Sequence, residues 1–197
     1  MFDWIKNIGG NYPEFYKNYL SKFDKKSTRF VALSIETTGL SKKEDKILSI
    51  GATAIVNNNI IINDSFDISF YKNTKINSDN LKEVEYLQKL SELVVPNAIQ
   101  SFLEYLENAV LVGHRIEFDV AILNEYLENL KCGKLKNEAL DVEVMYKKLE
   151  DITDKQFSLD DLLKKFKVEK SERYSASEDA FSTALLFLKL KSRLGIS

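Results

Sequence analysis

One cysteine, one histidine, two prolines and seven glycines among 197 residues already exclude several kinds of protein. Cys132 stands alone, so no internal disulfide can form, and a reducing compartment is the plain expectation. So few prolines and glycines leave little room for a disordered linker, and 44% hydrophobic content is enough to fill the core of one domain. Charge of one sign is also missing: 28 basic residues nearly cancel 30 acidic ones. The chain therefore lacks the basic footprint that gives sequence-independent affinity for DNA through counterion release, which argues against tight, salt-resistant binding to long duplex. The opening stretch Met1 to Lys6 reads neither as a signal peptide nor as a membrane span, so a cytoplasmic location without membrane contact is expected.

What is present is a run of strands followed by alternating strands and helices. Tyr12 to Leu20 has helical spacing with an aromatic stripe, and polar Asp24 to Ser27 follows it. Residues 1–28 thus read as a helical extension, either packed on the sheet or docked to a partner, ahead of a domain over 29–197. Phe30 to Glu36, Lys46 to Val56 and Ile60 to Phe70 read as three strands, the last two joined by a tight turn at Asn57-Asn58-Asn59. Leu81 to Leu93 and Asn97 to Asn108 show helical periodicity, Val110 to Val112 reads as a short buried strand, and Phe118 to Leu130 as an amphipathic helix. Leu140 to Val144 suits a fifth strand running into a helix. Ser158 to Phe166 looks like a capped helix with Asp160 and Asp161 in its first turn, and a helix over 175–194 closes the chain. Pattern alone supports an α/β or α+β fold.

Three stretches carry chemistry. In Ser34-Ile35-Glu36-Thr37-Thr38-Gly39-Leu40 the strand alternation puts Ser34 and Glu36 on one face, where two side chains can share one ion. Val112-Gly113-His114-Arg115-Ile116-Glu117-Phe118-Asp119 runs from a strand end into a helix. Tyr174-Ser175-Ala176-Ser177-Glu178-Asp179-Ala180 opens the last helix, and Ser175 with Glu178 has the form of a capping box. Taken singly, Glu36 could be a solvated edge charge, Asp119 a helix cap and Asp179 a partner of the helix dipole.

In this order and at these separations the three stretches resemble the motifs of the DEDD 3′–5′ exonucleases. That group includes polymerase proofreading subunits, such as the epsilon subunit of DNA polymerase III, and ribonuclease T. The resemblance covers residues 29–192, with three departures. Ser34 stands where the family has its first Asp, Arg115 where Asn usually follows the His, and Tyr174 where the family's histidine branch has its base. Four residues separate Tyr174 from Asp179, the spacing of the histidine branch, whereas a sister branch that uses tyrosine has three.

The resemblance implies a ribonuclease H-like α/β fold: a mixed five-strand sheet, antiparallel meander first and parallel strands after, flanked by helices. It implies hydrolysis of phosphodiester bonds at the 3′ end of single-stranded DNA or RNA by Mg²⁺ or Mn²⁺. Two such ions sit roughly 3.5–4 Å apart in sites of this kind. Glu36, Asp119 and Asp179 are the implied metal ligands. Ser34 replaces the carboxylate that bridges both ions, so one ion is easier to hold than two. Tyr174 replaces an imidazole that titrates at about 6.5 with a phenol that titrates at about 10, a poor proton acceptor at neutral pH. Thr37, Thr38, Leu40 and Phe118 are the implied contacts to the terminal nucleotide.

His114, beside a glycine turn, is expected to make a structural hydrogen bond, and Cys132 to be a loop thiol. Arg115 could pair with a phosphate or with Glu117. Lys42, Lys43 and Lys46 alternate with Glu44 and Asp45, as in a solvated loop. Two functions stay open: an exonuclease with impaired catalysis, or a degenerate fold that binds nucleic-acid ends or docks a protein. A polymerase engaged through the N-terminal helix is a candidate partner.

Overall fold

A computed structural model describes residues 11–39, 41, 45–70, 81–170 and 175–196, with the backbone alone over 81–93. Leu40, Lys42, Lys43 and Tyr174 lie outside the described residues. The sheet is built from β1 (Phe30–Thr37), β2 (Ile47–Val56), β3 (Asn59–Ser69), β4 (Val110–Gly113) and β5 (Ala139–Asp141), in the order β3-β2-β1-β4-β5. β1 to β3 form the antiparallel meander, and β4 and β5 add parallel to β1. The β2–β3 turn is made by Asn57 and Asn58 at φ 50° and 62°, the left-handed backbone that asparagine tolerates.

Strand alternation sorts β1 between two cores. Val31, Leu33 and Ile35 join α1 (Glu14–Ser21), α2 (Leu81–Leu106) and α3 (Ile116–Asn129) on one side. Ala32 joins α4 (Val142–Glu150), α5 (Leu159–Lys165) and α6 (Ala176–Arg193) on the other. Ser34 and Glu36 share the parity of Ala32 and so belong to the α6 side. The aromatic stripe of α1 packs inward: Tyr16 and Tyr19 are buried, and their hydroxyls donate to the Lys134 carbonyl (2.7 Å) and to Asn137 Oδ1 (2.6 Å).

Two elements differ from the sequence expectation. The two helices read over 81–93 and 97–108 form one helix, Leu81–Leu106, with Pro96 inside it. An internal proline costs about 3 kcal/mol. Val95, Ile99, Phe102, Leu103 and Leu106 are all buried on this helix, and at about 1.5–3 kcal/mol for each such side chain their burial outweighs the break. The fifth strand, expected over Leu140 to Val144 and running into a helix, does run into one, but the strand spans Ala139–Asp141 and the helix begins already at Val142. Asp141 Oδ1 accepts from the amides of Glu143 (2.8 Å) and Val144 (3.3 Å), so the carboxylate caps α4 and turns the chain out of the sheet.

Candidate functional site

Parallel pairing of β1, β4 and β5 brings the C-terminal ends of these strands to the same side of the sheet. Glu36 lies near the end of β1. Asp119 is in the first turn of α3, just past β4, and Asp141 ends β5. The start of α6 is brought over β1 by Gly51, the cross-strand partner of Ser34. A Cβ on Gly51 would fall 2.2 Å from the Ala176 carbonyl carbon and from the Ser177 nitrogen, so only glycine admits this approach. Asp179 follows within the first turn of α6.

Each carboxylate has a distinct environment. Glu36 Oε2 accepts a short hydrogen bond from the hydroxyl of its cross-strand partner Ser49, which is itself buried. A bulge between Glu36 and Thr37 breaks the register at this point, as bulges near sites often do to re-aim a side chain. Asp119 is 7% exposed. Burial first, and then the charge of Asp141, push its carboxyl well above the ordinary carboxylate range. Asp179 is 29% exposed at its side chain and paired with Lys170, whose Nζ lies 2.7 Å from Oδ1. The same ammonium reaches Asp160 Oδ1 at 3.2 Å. Burial opposes the charge on Lys170, but the two carboxylates outweigh it and hold the amine above its usual value.

Thr37 and Thr38 shape the turn after β1. The Thr37 hydroxyl donates to the Gly39 carbonyl, and that of Thr38 to Asp45 Oδ1 (2.7 Å) while accepting from the Lys46 amide (3.0 Å). Asp45 also accepts from the Ser41 amide (2.6 Å), and these bonds lower its carboxyl from the usual range. Phe118 is half-buried on α3.

Beside the second motif, buried Glu143 is paired with Lys147 Nζ at 3.0 Å and Arg115 Nε at 3.3 Å, with His114 Nε2 at 3.7 Å and the Phe157 amide donating at 2.9 Å. Burial disfavours the Glu143 anion, yet the Phe157 amide, Lys147 and Arg115 outweigh it and lower the carboxyl from its usual value. His114 also bonds the Phe157 carbonyl at 2.8 Å, a structural contact. Arg115 pairs with Glu143, not with Glu117, and sits at φ 54°. That conformation favours asparagine, the residue the family usually places there, over arginine. Asp141 Oδ2 accepts from the Ile116 amide at 3.1 Å, so one carboxylate ties the starts of α3 and α4 together.

Sequence reasoning passed over Asp141, Glu143, Ser49 and Lys170. An acidic residue between a strand and a helix was a usable signal for Asp141. Nothing local marks Lys170, because its partners lie on two different helices.

The family model for exonucleases of the RNase T type matches residues 31–187. The chain belongs to the DEDD-type 3′–5′ exonuclease family. It is 32% identical over 174 residues to the PolC-type DNA polymerase III of Caldanaerobacter subterraneus subsp. tengcongensis, a match covering 84% of this chain and 12% of that protein. To the PolC-type enzyme of Pediococcus pentosaceus it is 30% identical over 181 residues, covering 87% of this chain and again 12% of the relative. The chain thus spans only a small part of the length of these relatives. Among solved structures, exonuclease I superposes with a TM-score of 0.64 at 15% identity, over 86% of this chain and 42% of that one. The nuclease domain of 3′hExo, a DEDDh family member bound to rAMP, gives 0.63 at 12% identity, over 84% of this chain and 92% of that one. At such identities the likeness is one of fold, and it is the ribonuclease H-like fold expected from the sequence.

Members of this family generally use divalent metals. The donor set here does not match that requirement as it stands. Among the described residues no three Asp, Glu, His or Cys side chains are grouped so that they could hold an ion, and Glu36, Asp119 and Asp179 do not form such a group. Position 34 offers a hydroxyl instead of a carboxylate, and Asp179 already has a cation beside it. No helix of the described residues is long and apolar enough to cross a membrane.

Proposed function

We propose that this domain engages the 3′ end of a single-stranded nucleic acid in the manner of its exonuclease relatives, with metal-dependent hydrolysis much impaired. What supports this reading is the order of Glu36 near the end of β1, Asp119 in the first turn of α3 and Asp179 in the first turn of α6, in a chain of the exonuclease family. Impairment follows from chemistry. Two-ion hydrolysis needs a shared anionic ligand and a base that is free to take a proton at neutral pH. Ser34 supplies a neutral oxygen, and Tyr174 supplies a phenol. Glu36, Asp119 and Asp179 are the residues proposed to stand at the family's Mg²⁺ or Mn²⁺ ligand positions, and in their present arrangement they do not form an ion-holding group. Phe118 and the turn bearing Thr37 and Thr38 are proposed to seat the terminal nucleotide, with Leu40 alongside.

The relatives that share this sequence are PolC-type polymerases, so a polymerase is the proposed partner. The buried face of α1 is used within the domain, which leaves only its outer face for docking. A second reading, a binding module that does not cleave, is favoured by one observation: the Lys170 ammonium already occupies Asp179.

Incubation with 3′-ended single-stranded DNA and RNA oligonucleotides in Mn²⁺, with products resolved by length, tests the proposal. Slow shortening from the 3′ end, abolished in Glu36→Ala, is expected. Binding that persists in chelator with no shortening at all would replace this reading with the second one.

A further inference from the structure

Lys170 bridges Asp160, in the first turn of α5, and Asp179, in the first turn of α6. It is not a loose surface pair. The Lys170 side chain is only 19% exposed, and its Nζ lies 2.7 Å from the carboxylate oxygen of Asp179. Asp179 Oδ1 is buried and has no hydrogen-bond partner among the described residues, so the contact with Lys170 is an ion pair of opposite charges, and partial burial reduces its screening by solvent. The carboxylate is therefore supplied with a positive charge by the chain itself. This coincides with the absence of an ion-holding group of three among the described residues and with the neutral side chain of Ser34.

From this we infer that Lys170 is a built-in cation that takes the place of a divalent ion at the third-motif carboxylate and closes Asp179 to metal. A lysine ammonium and a divalent ion compete for the same oxygen. The lysine is tethered, so it competes at a high effective concentration whatever the metal supply. A divalent ion must displace Lys170, and on doing so would find two carboxylates, Glu36 and Asp119, in place of the family's three further ones. The domain would then hold its α5–α6 junction in place without metal. The inference builds on the assignment of Asp179 to the third motif, and its readout is ion binding, so nuclease activity is decided separately by the oligonucleotide assay.

The test is Mn²⁺ binding to the purified chain, followed by the loss of the free-ion electron paramagnetic resonance signal, in wild type, Lys170→Met, Lys170→Arg and Lys170→Met with Asp179→Asn. Wild type and Lys170→Arg should bind weakly. Lys170→Met should bind at least tenfold more tightly, and Asp179→Asn should abolish that gain. Melting curves in chelator verify folding, and Lys170→Gln replaces Lys170→Met should the latter fail to fold. An affinity in folded Lys170→Met no greater than in wild type overturns the inference. So does a gain that survives Asp179→Asn, because the ion would then sit elsewhere.

Discussion

Replacing Gly51 by alanine adds one methyl group where β2 meets the start of α6. Its Cβ would lie 2.2 Å from Ala176 C and Ser177 N and 2.4 Å from Ala176 O. Non-bonded carbon contacts settle at about 3.5 Å or more, so the two backbones must separate by roughly 1.3 Å. Neither side can yield by rotating a side chain, since every atom met is backbone in a central strand or in the first turn of a helix. Overpacking of this kind costs about 1–3 kcal/mol, and the rigid surroundings place Gly51→Ala at about 2–3 kcal/mol. For a domain of this size each kcal/mol lowers the melting temperature by roughly 2–4 °C, which gives a fall of about 4–12 °C. Circular dichroism melts measure the fall. Hydrogen exchange locates it, with faster exchange expected at the first amides of α6. Gly113→Ala is the comparison: the three atoms nearest its Cβ all belong to the Ile116 side chain, Cδ1 at 2.6 Å and Cβ at 3.0 Å among them, and none is backbone, so its loss should be smaller. A Gly51→Ala melt within about 1 °C of wild type would refute the claim that this glycine sets the approach of α6.

Three further outcomes are expected. Ser34→Asp combined with Tyr174→His and Lys170→Met should raise 3′–5′ hydrolysis in Mn²⁺ by at least about 10²-fold, the contribution of a competent base alone; a folded triple variant that stays inert would show that damage extends beyond these three positions. The Asp119 carboxyl is raised in the folded state, so wild-type stability should fall as pH rises from about 4 through the folded value, while Asp119→Asn escapes that decline and melts higher at pH 7 in chelator. Equal melting temperatures for the two at every pH from 4 to 8 would contradict it. Glu143 has the opposite sign: its folded carboxyl is lowered, so its contribution is present above the unfolded range near pH 4.3 and disappears as pH falls through the folded value. Glu143→Gln should cost about 1–3 kcal/mol near neutral pH, discounted because Arg115 is half exposed, and urea titration reads the loss.

The order of strands and the three motifs could be read from the sequence because they are local: alternation marked β1 to β3, paired asparagines marked the hairpin, and Ser175 marked the start of α6. The exact reach of β5 could not, because Leu140 to Val144 alternates like a strand and only the capping bonds of Asp141 stop it there. The two periodic stretches over 81–93 and 97–108 did not read as one helix for a related reason: the apolar contacts that carry the helix through Pro96 are tertiary. Of the proposed site, Glu36, Asp119 and Asp179 stand in the sequence as a spaced pattern. The lysine beside Asp179 does not, since position 170 acquires meaning only when α5 and α6 pack side by side.

The sheet joins two halves of unequal character. The meander of β1, β2 and β3 is paired over long stretches between neighbours in sequence, whereas β4 meets β1 over three residue pairs and β5 meets β4 over three. Contacts close in sequence form with less loss of chain entropy, so the meander is placed to gain order early and the parallel edge late. Glu36 belongs to the first half, and Asp119 and Asp179 to the second. On this reasoning, pulse-labelled hydrogen exchange should show β2 amides protected before those of α6. A chain halted midway would hold the meander without its parallel edge.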